Sequence, residues 1–146
     1  MKINYTLLWL FWGAVLYAQQ PTDWLRTIPG NQFEENNSLA QAPCGDLYTT
    51  GFFQDSLGDL STYGTDYEDG FVTKYNEQGQ LLWMLQLRGS GTDRVNGIHV
   101  TTDNELYIVG EFRDTLYCGG DTLLSNGRLD LLVAKLASSG AFQWAL

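Results

Sequence analysis

The chain repeats itself, and that repetition is the strongest constraint on its fold. Trp24, Trp83 and Trp144 are separated by 59 and 61 residues. At an offset of 59, Gly30 meets Gly89, Asn37 meets Asn96, and Leu47-Tyr48 meets Leu106-Tyr107. Gly51, Phe53, Asp55 and Leu57 then meet Gly110, Phe112, Asp114 and Leu116. A two-residue insertion changes the offset to 61. Asp69 then meets Asp130, Val72 and Lys74 meet Val133 and Lys135, and Gly79 meets Gly140. Matches that keep their order over most of the chain mean that one structural unit is used more than once.

Within the unit the local period is two. In Leu106-Tyr107-Ile108-Val109-Gly110-Glu111-Phe112 the residues Leu106, Ile108 and Phe112 share one face, as in a strand. Leu131–Leu136 reads as a second strand, with weaker candidates at Gly97–Thr101 and Phe142–Leu146. The first copy has equivalents at Ser38–Ala42, Asp46–Phe53, Gly70–Tyr75 and Leu81–Leu87. Turn-forming clusters separate these runs, among them Thr102-Asp103-Asn104, Ser125-Asn126-Gly127 and Ser138-Ser139-Gly140. No stretch carries a sustained helical stripe, and the glycine content opposes one. The expected fold is therefore all-β, with four-stranded antiparallel units of the kind that form β-propeller blades. The period exceeds the ~40–45 residues of a typical blade. The excess falls at Gln54–Glu68 and Arg113–Leu129, which read as long loops. Counted from tryptophan to tryptophan, repeat one spans 24–82, repeat two spans 83–143, and a third begins at 144–146.

Residues 1–18 have a different purpose. Met1-Lys2 is followed by the apolar run Leu7–Leu16, then Tyr17-Ala18 and the polar Gln19-Gln20-Pro21. A charged start, an apolar stretch and a small residue at the cut form a secretory signal peptide. The run is shorter than the ~20 apolar residues of a spanning helix. An exported protein is expected (secreted, periplasmic or cell surface), with 19–146 as its repeat region and no membrane insertion after cleavage. The 146 residues carry a formal net charge of −9. That balance argues against nucleic-acid binding, which needs cations to neutralise phosphates. With two cysteines and one histidine the chain lacks the usual four Cys/His ligands of a zinc site.

The pattern Asp-x-x-Val-x-Lys at Asp130–Lys135, followed by Gly140 and Trp144, is similar to the SBBP or β-propeller repeat family. Asn96-Gly97-Ile98 and the strand Leu106–Phe112 belong to the same resemblance. It covers Trp24 to Leu146 and departs in the first copy at Ala42-Pro43-Cys44-Gly45. The resemblance implies a propeller in an exported bacterial protein, often of Bacteroidota, that acts as a secreted scaffold. It carries no reaction, cofactor or catalytic residue. Propellers close with typically four to eight blades, so two copies read as the N-terminal fragment of a longer chain with further blades. The other reading is two blades pairing with copies of themselves.

Several residues stand out as candidates. Trp24, Trp83, Trp144, Asp69, Asp130, Gly51 and Gly110 recur, which marks them as structural. The tryptophans are expected to pack between blades and the aspartates to fix turns. Lys74 and Lys135 recur as well and are expected to reach the surface or pair with an acid. Tyr63, Tyr67 and Tyr117 lie in the long loops and are the better candidates for contacting a protein or carbohydrate ligand. Asp66, Glu68 and Asp69 form an acidic cluster without the full calcium-loop spacing, so a solvated loop is expected there. An exported chain permits a Cys44–Cys118 disulfide, but the two lie at non-equivalent places and symmetry does not pair them. The function expected is a scaffold or binding module. The alternatives are a propeller lyase or hydrolase acting on polysaccharide with its active site in further blades, and a cell-surface adhesin.

Overall fold

The computed structural model describes residues 24–62 and 67–146. Residues 1–18, where a signal peptide is expected, Tyr63 and Asp66 lie outside the described residues. Every regular element within them is a strand: β1 (Glu34–Gln41), β2 (Leu47–Gln54), β3 (Ser56–Leu57), β4 (Leu60–Ser61), β5 (Glu68–Tyr75) and β6 (Leu81–Gly89), then β7 (Arg94–Val100), β8 (Leu106–Phe112), β9 (Thr115–Cys118), β10 (Asp121–Leu124), β11 (Asp130–Leu136) and β12 (Phe142–Ala145). Among the described residues no helix is long and apolar enough to cross a membrane.

All strand pairing is antiparallel, and the two copies fold alike. The first forms the run β1-β2-β5-β6, the second β7-β8-β11-β12. Each carries a hairpin between its second and third strands, β3-β4 in the first and β9-β10 in the second. A short pairing of β6 with β9 joins the second hairpin to the first sheet, giving the order β1-β2-β5-β6-β9-β10. Among the described residues no sheet closes on itself.

The two stretches expected as long loops are thus partly hairpins. Gly119-Gly120 joins β9 to β10 and Gly58-Asp59 joins β3 to β4 as two-residue connections, with Gly119 at φ 64° and Gly58 at φ 58°. Positive φ at the connection matches the right-handed twist of the flanking strands. Leu116 and Cys118 on β9 are buried while Tyr117 faces out, the alternation of a half-buried strand.

The sheet unit is out of phase with the tryptophan count, because Trp83 lies in the last strand of the first sheet. Two irregularities recur at the matched positions. Asn37 and Asn96 are bulged out of register, opposite Gly51 and Gly110 respectively. The departure at Ala42–Gly45 makes the same turn as Thr101–Asn104: Gly45 N donates to Ala42 O at 2.9 Å and Asn104 N to Thr101 O at 3.0 Å. Gly45 and Asn104 both adopt positive φ, 91° and 60°.

The main core lies between the two sheets. β7 crosses β1, β2 and β5. Tyr48, Val72 and Leu87 of the first sheet pack with Val95, Leu106, Ile108, Phe112, Leu132, Ala134 and Leu136 of the second copy. Asn37 Nδ2 bridges the innermost strands, donating to Val95 O and to Asn96 Oδ1, both at 3.1 Å. A smaller cluster of Phe53, Leu57 and Phe71 packs with Ile28, Leu60 and Met84 on the other face of the first sheet.

Residues 24–30 stand to the first unit as β6 stands to the second. Trp24 Nε1 donates to Glu77 O at 3.0 Å, and Trp83 Nε1 donates to Ser138 O at 3.3 Å. Gly30 bridges Leu57 as Gly89 pairs with Leu116. Trp83 therefore reaches across the boundary between the copies and lies against the turn glycine Gly140, itself at φ 86°. It also packs on Tyr48, with ring centroids 5.9 Å apart. The ring is half-buried, so Trp83→Ala should cost about 2–3 kcal/mol, less than a fully buried tryptophan. The urea midpoint measures this. An unchanged midpoint would mean that the ring does not join the units.

Candidate functional site

Two of the loop tyrosines converge. Tyr67, just before β5, and Tyr117, on β9, line one open cleft of about 680 Å³ together with Arg88, Gly89 and Ser90 at the end of β6. Its position follows from the pairing of β6 with β9, which sets Arg88 opposite Tyr117 and Gly89 opposite Leu116. Tyr67 is 43% exposed and Tyr117 54%. Tyr63, the third candidate, lies outside the described residues. The sequence placed Tyr117 in a loop, whereas the structure fixes it on a strand.

Behind Gly89 lie two buried carboxyls. Asp69 on β5 accepts a hydrogen bond from Gln86 Nε2, which also donates to Ser61 O at 2.8 Å. Burial pushes the Asp69 carboxyl up to about 6, against the opposing pull of Gln86, Arg88 and the Gly89 amide. Asp93, in the link between β6 and β7, is fully buried, and among the described residues no well-formed hydrogen bond reaches either of its oxygens, the Arg113 amide approaching only loosely. Burial pushes it up to about 8, with the charges of Asp69 and Asp114 adding to the effect. The Arg113 main-chain amide offsets only part of this. Its backbone is anchored, because Asp93 N donates to Glu68 O at 2.7 Å. Burial also raises the Cys118 thiol to about 11, with Asp93 and Asp121 adding repulsion.

The other candidates are structural contacts. Arg94 reaches Glu68 at 2.6 Å and Glu111 at 3.4 Å, and lies over the Phe52 ring at 4.6 Å. Glu68 is thus held by a cation and Asp69 by an amide. Among the described residues no group of three or more His, Cys, Asp or Glu side chains could hold a metal ion. Asp130 accepts from Asn126 N at 2.8 Å and fixes the turn before β11. Asp69 points into the interior instead, so the two recurring aspartates do different work. Lys74 pairs with Asp46 at 2.8 Å and Lys135 with Glu105 at 2.7 Å. Each lysine also sits over a tyrosine, Tyr48 or Tyr107, and that tyrosine meets Trp83 or Trp144. This acid–lysine–tyrosine–tryptophan stack is repeated because each unit uses it to brace its outer strands. Cys44 and Cys118 are free thiols, the first exposed and 3.7 Å from Asn104 Oδ1, the second buried.

The sequence reading missed Arg88, Ser90 and Asp93. A signal for the cleft residues was present in the repeat. Arg88 has Pro29 as its counterpart, Ser90 has Asn31, Tyr117 has Gly58 and Tyr67 has Arg128. Positions that serve the unit recur; these four do not. Comparison with protein-family models and with curated proteins finds no match to this chain.

Proposed function

We propose that the chain is an exported β-propeller-type repeat scaffold of the SBBP kind, in which each four-stranded unit is a blade and further units continue the array. One observation carries this reading. Positions buried in the first unit are exposed at their counterparts in the second. Thr50 and Val72 are fully buried, whereas Val109 is 48% and Val133 38% exposed. Buried Gly70 corresponds to Leu131, which is 82% exposed, and half-buried Leu85 to Leu146 at 75%. The first unit is covered there by β7 and the strands behind it. Among the described residues nothing covers the second. A contiguous apolar face of this kind marks an interaction surface, and the occupant that fits is the one the first unit already has.

On the opposite face of the first unit, Thr49 and Thr73, whose hydroxyls lie 2.7 Å apart, stand where the second unit has Ile108 and Ala134. Export rests on the apolar leader followed by Ala18, and the binding role on the cleft between the units. Adhesion at the cell surface fits the same arrangement. The enzyme alternative places its acid pair in further blades; in this chain Asp69 and Asp93 are both buried. A chain lengthened by one unit after Leu146 tests the array: the exposed face should become buried and the protein more stable.

A further inference from the structure

We propose that the cleft walled by Tyr67, Arg88, Ser90 and Tyr117 binds a neutral oligosaccharide. The inference deepens the binding role above and names its ligand class. The lining, the volume, the polar groups and the surrounding charge of the cleft lead to it.

Four of the five lining residues, Tyr67, Arg88, Ser90 and Tyr117, do not recur, so the unit does not require them for packing. Both tyrosine rings stand in an apolar-walled cleft yet remain 43% and 54% exposed. A ring with an apolar face and a wet hydroxyl edge suits a ligand that is itself amphipathic. A sugar presents such a surface, with C–H groups on one face and hydroxyls around the rim. The volume of about 680 Å³ lies within the ~300–1,000 Å³ range of small-ligand sites.

The polar groups favour hydroxyls over charged ligands. Arg88 and Ser90 carry donors, and the Ser90 hydroxyl oxygen, which already accepts from Thr115 N at 3.2 Å, keeps its second lone pair. Arg88 is already engaged electrostatically with Asp69. Behind Gly89, Asp93 is held uncharged at neutral pH, while Asp114 lies close enough to act on Asp93 and Asp121 close enough to act on the Cys118 thiol. The chain as a whole carries −9. A uronate or an acidic peptide entering the cleft would meet this field, whereas a neutral glycan would not. A peptide added as a strand would need an unpaired sheet edge. Here β6 and β9 pair with each other across the cleft floor, so that edge is occupied.

The test uses the chain itself, titrated calorimetrically with neutral hexasaccharides of the gluco, xylo, manno and N-acetylglucosamine series. A galacturonate oligomer and an unstructured peptide are run beside them. At least one neutral sugar should bind with Kd below about 1 mM. Tyr117→Ala and Tyr67→Ala should each weaken that binding at least about tenfold, with the urea midpoint unchanged because both rings are exposed. Arg88→Gln should weaken it less, since glutamine still donates to a hydroxyl. No binding by any neutral sugar, tighter binding of the galacturonate, or binding of the peptide alone would overturn the proposal. Because the titration needs no further unit, its failure leaves the array reading standing, and the converse holds.

Discussion

Gly110→Ala should destabilise the protein by about 3 kcal/mol or more, with Gly51→Ala close behind. The bulge at Asn96 brings the β7 main chain against β8, so a methyl at position 110 would collide with the carbonyl oxygen of Arg94 and stand 3.2 Å from Val95 Cα. A main-chain carbonyl within a sheet ladder cannot swing aside as a flexible side chain can. At position 51 the obstacle is the carbonyl of Glu35, opposite the equivalent bulge at Asn37. Gly120→Ala and Gly127→Ala serve as controls. A methyl at either would have no neighbour within 4 Å, and a change within about 0.5 kcal/mol is expected. Urea denaturation compares the four. A neutral Gly110→Ala would mean that β7 and β8 do not approach as closely as the paired bulge and glycine require.

Asp93→Asn should remove most of the pH dependence of stability between about pH 4 and 8. The folded state raises the Asp93 carboxyl from its ordinary 3.8 to about 8, so the folded chain holds that proton more tightly than the unfolded chain. The resulting stability is complete below about pH 4 and declines as the pH rises. It is gone above about pH 8. Asp69, raised to about 6, adds a contribution of the same sign over the lower part of that window. The native protein is therefore expected to be more stable at pH 5 than at pH 9. Asparagine has no charge to bury, so the variant should match the native protein near pH 4 and exceed it at pH 9 by about 2–3 kcal/mol. This is less than the full shift implies, because water and side chains rearrange around a charge once it forms. Urea midpoints from pH 4 to 9 measure it. Equal stability of the two proteins at pH 9 would show that Asp93 ionises there without cost.

The repeat made the all-β fold legible, since period-two runs at matched positions placed the eight strands of the two four-stranded units within a few residues of where they lie. The inserted hairpins were harder to see. Ser56–Ser61 is too short to show alternation. In Thr115–Leu124 the Gly119-Gly120 pair was a turn signal obscured by the polar residues around it. The cleft was half legible. Tyr67 and Tyr117 drew attention as aromatics outside the recurring strands, but Arg88 lies inside a strand and stands out only when compared with Pro29. Asp93 was invisible. It sits between Thr92 and Arg94 and looks like any surface acid. Its burial comes from Gly89, Glu68 and the second hairpin, contacts that only the packing of one copy on the other creates. The same holds for the apolar face: Val72 and Val133 match in sequence, and only the position of β7 makes one buried and the other exposed.

The central claim is that the second unit presents a face built to be covered by another of its kind. Leu146 corresponds to Leu85, so a copy of residues 86–146 appended after Leu146 continues the array in register. Hydrogen exchange across β8 and β11 of this lengthened chain, measured against the original, is the most direct test. The account predicts that amides around Val109, Leu131 and Val133 become protected to the level of Thr50 and Val72 in the first unit. Unchanged exchange there, with the appended unit folded, would contradict it.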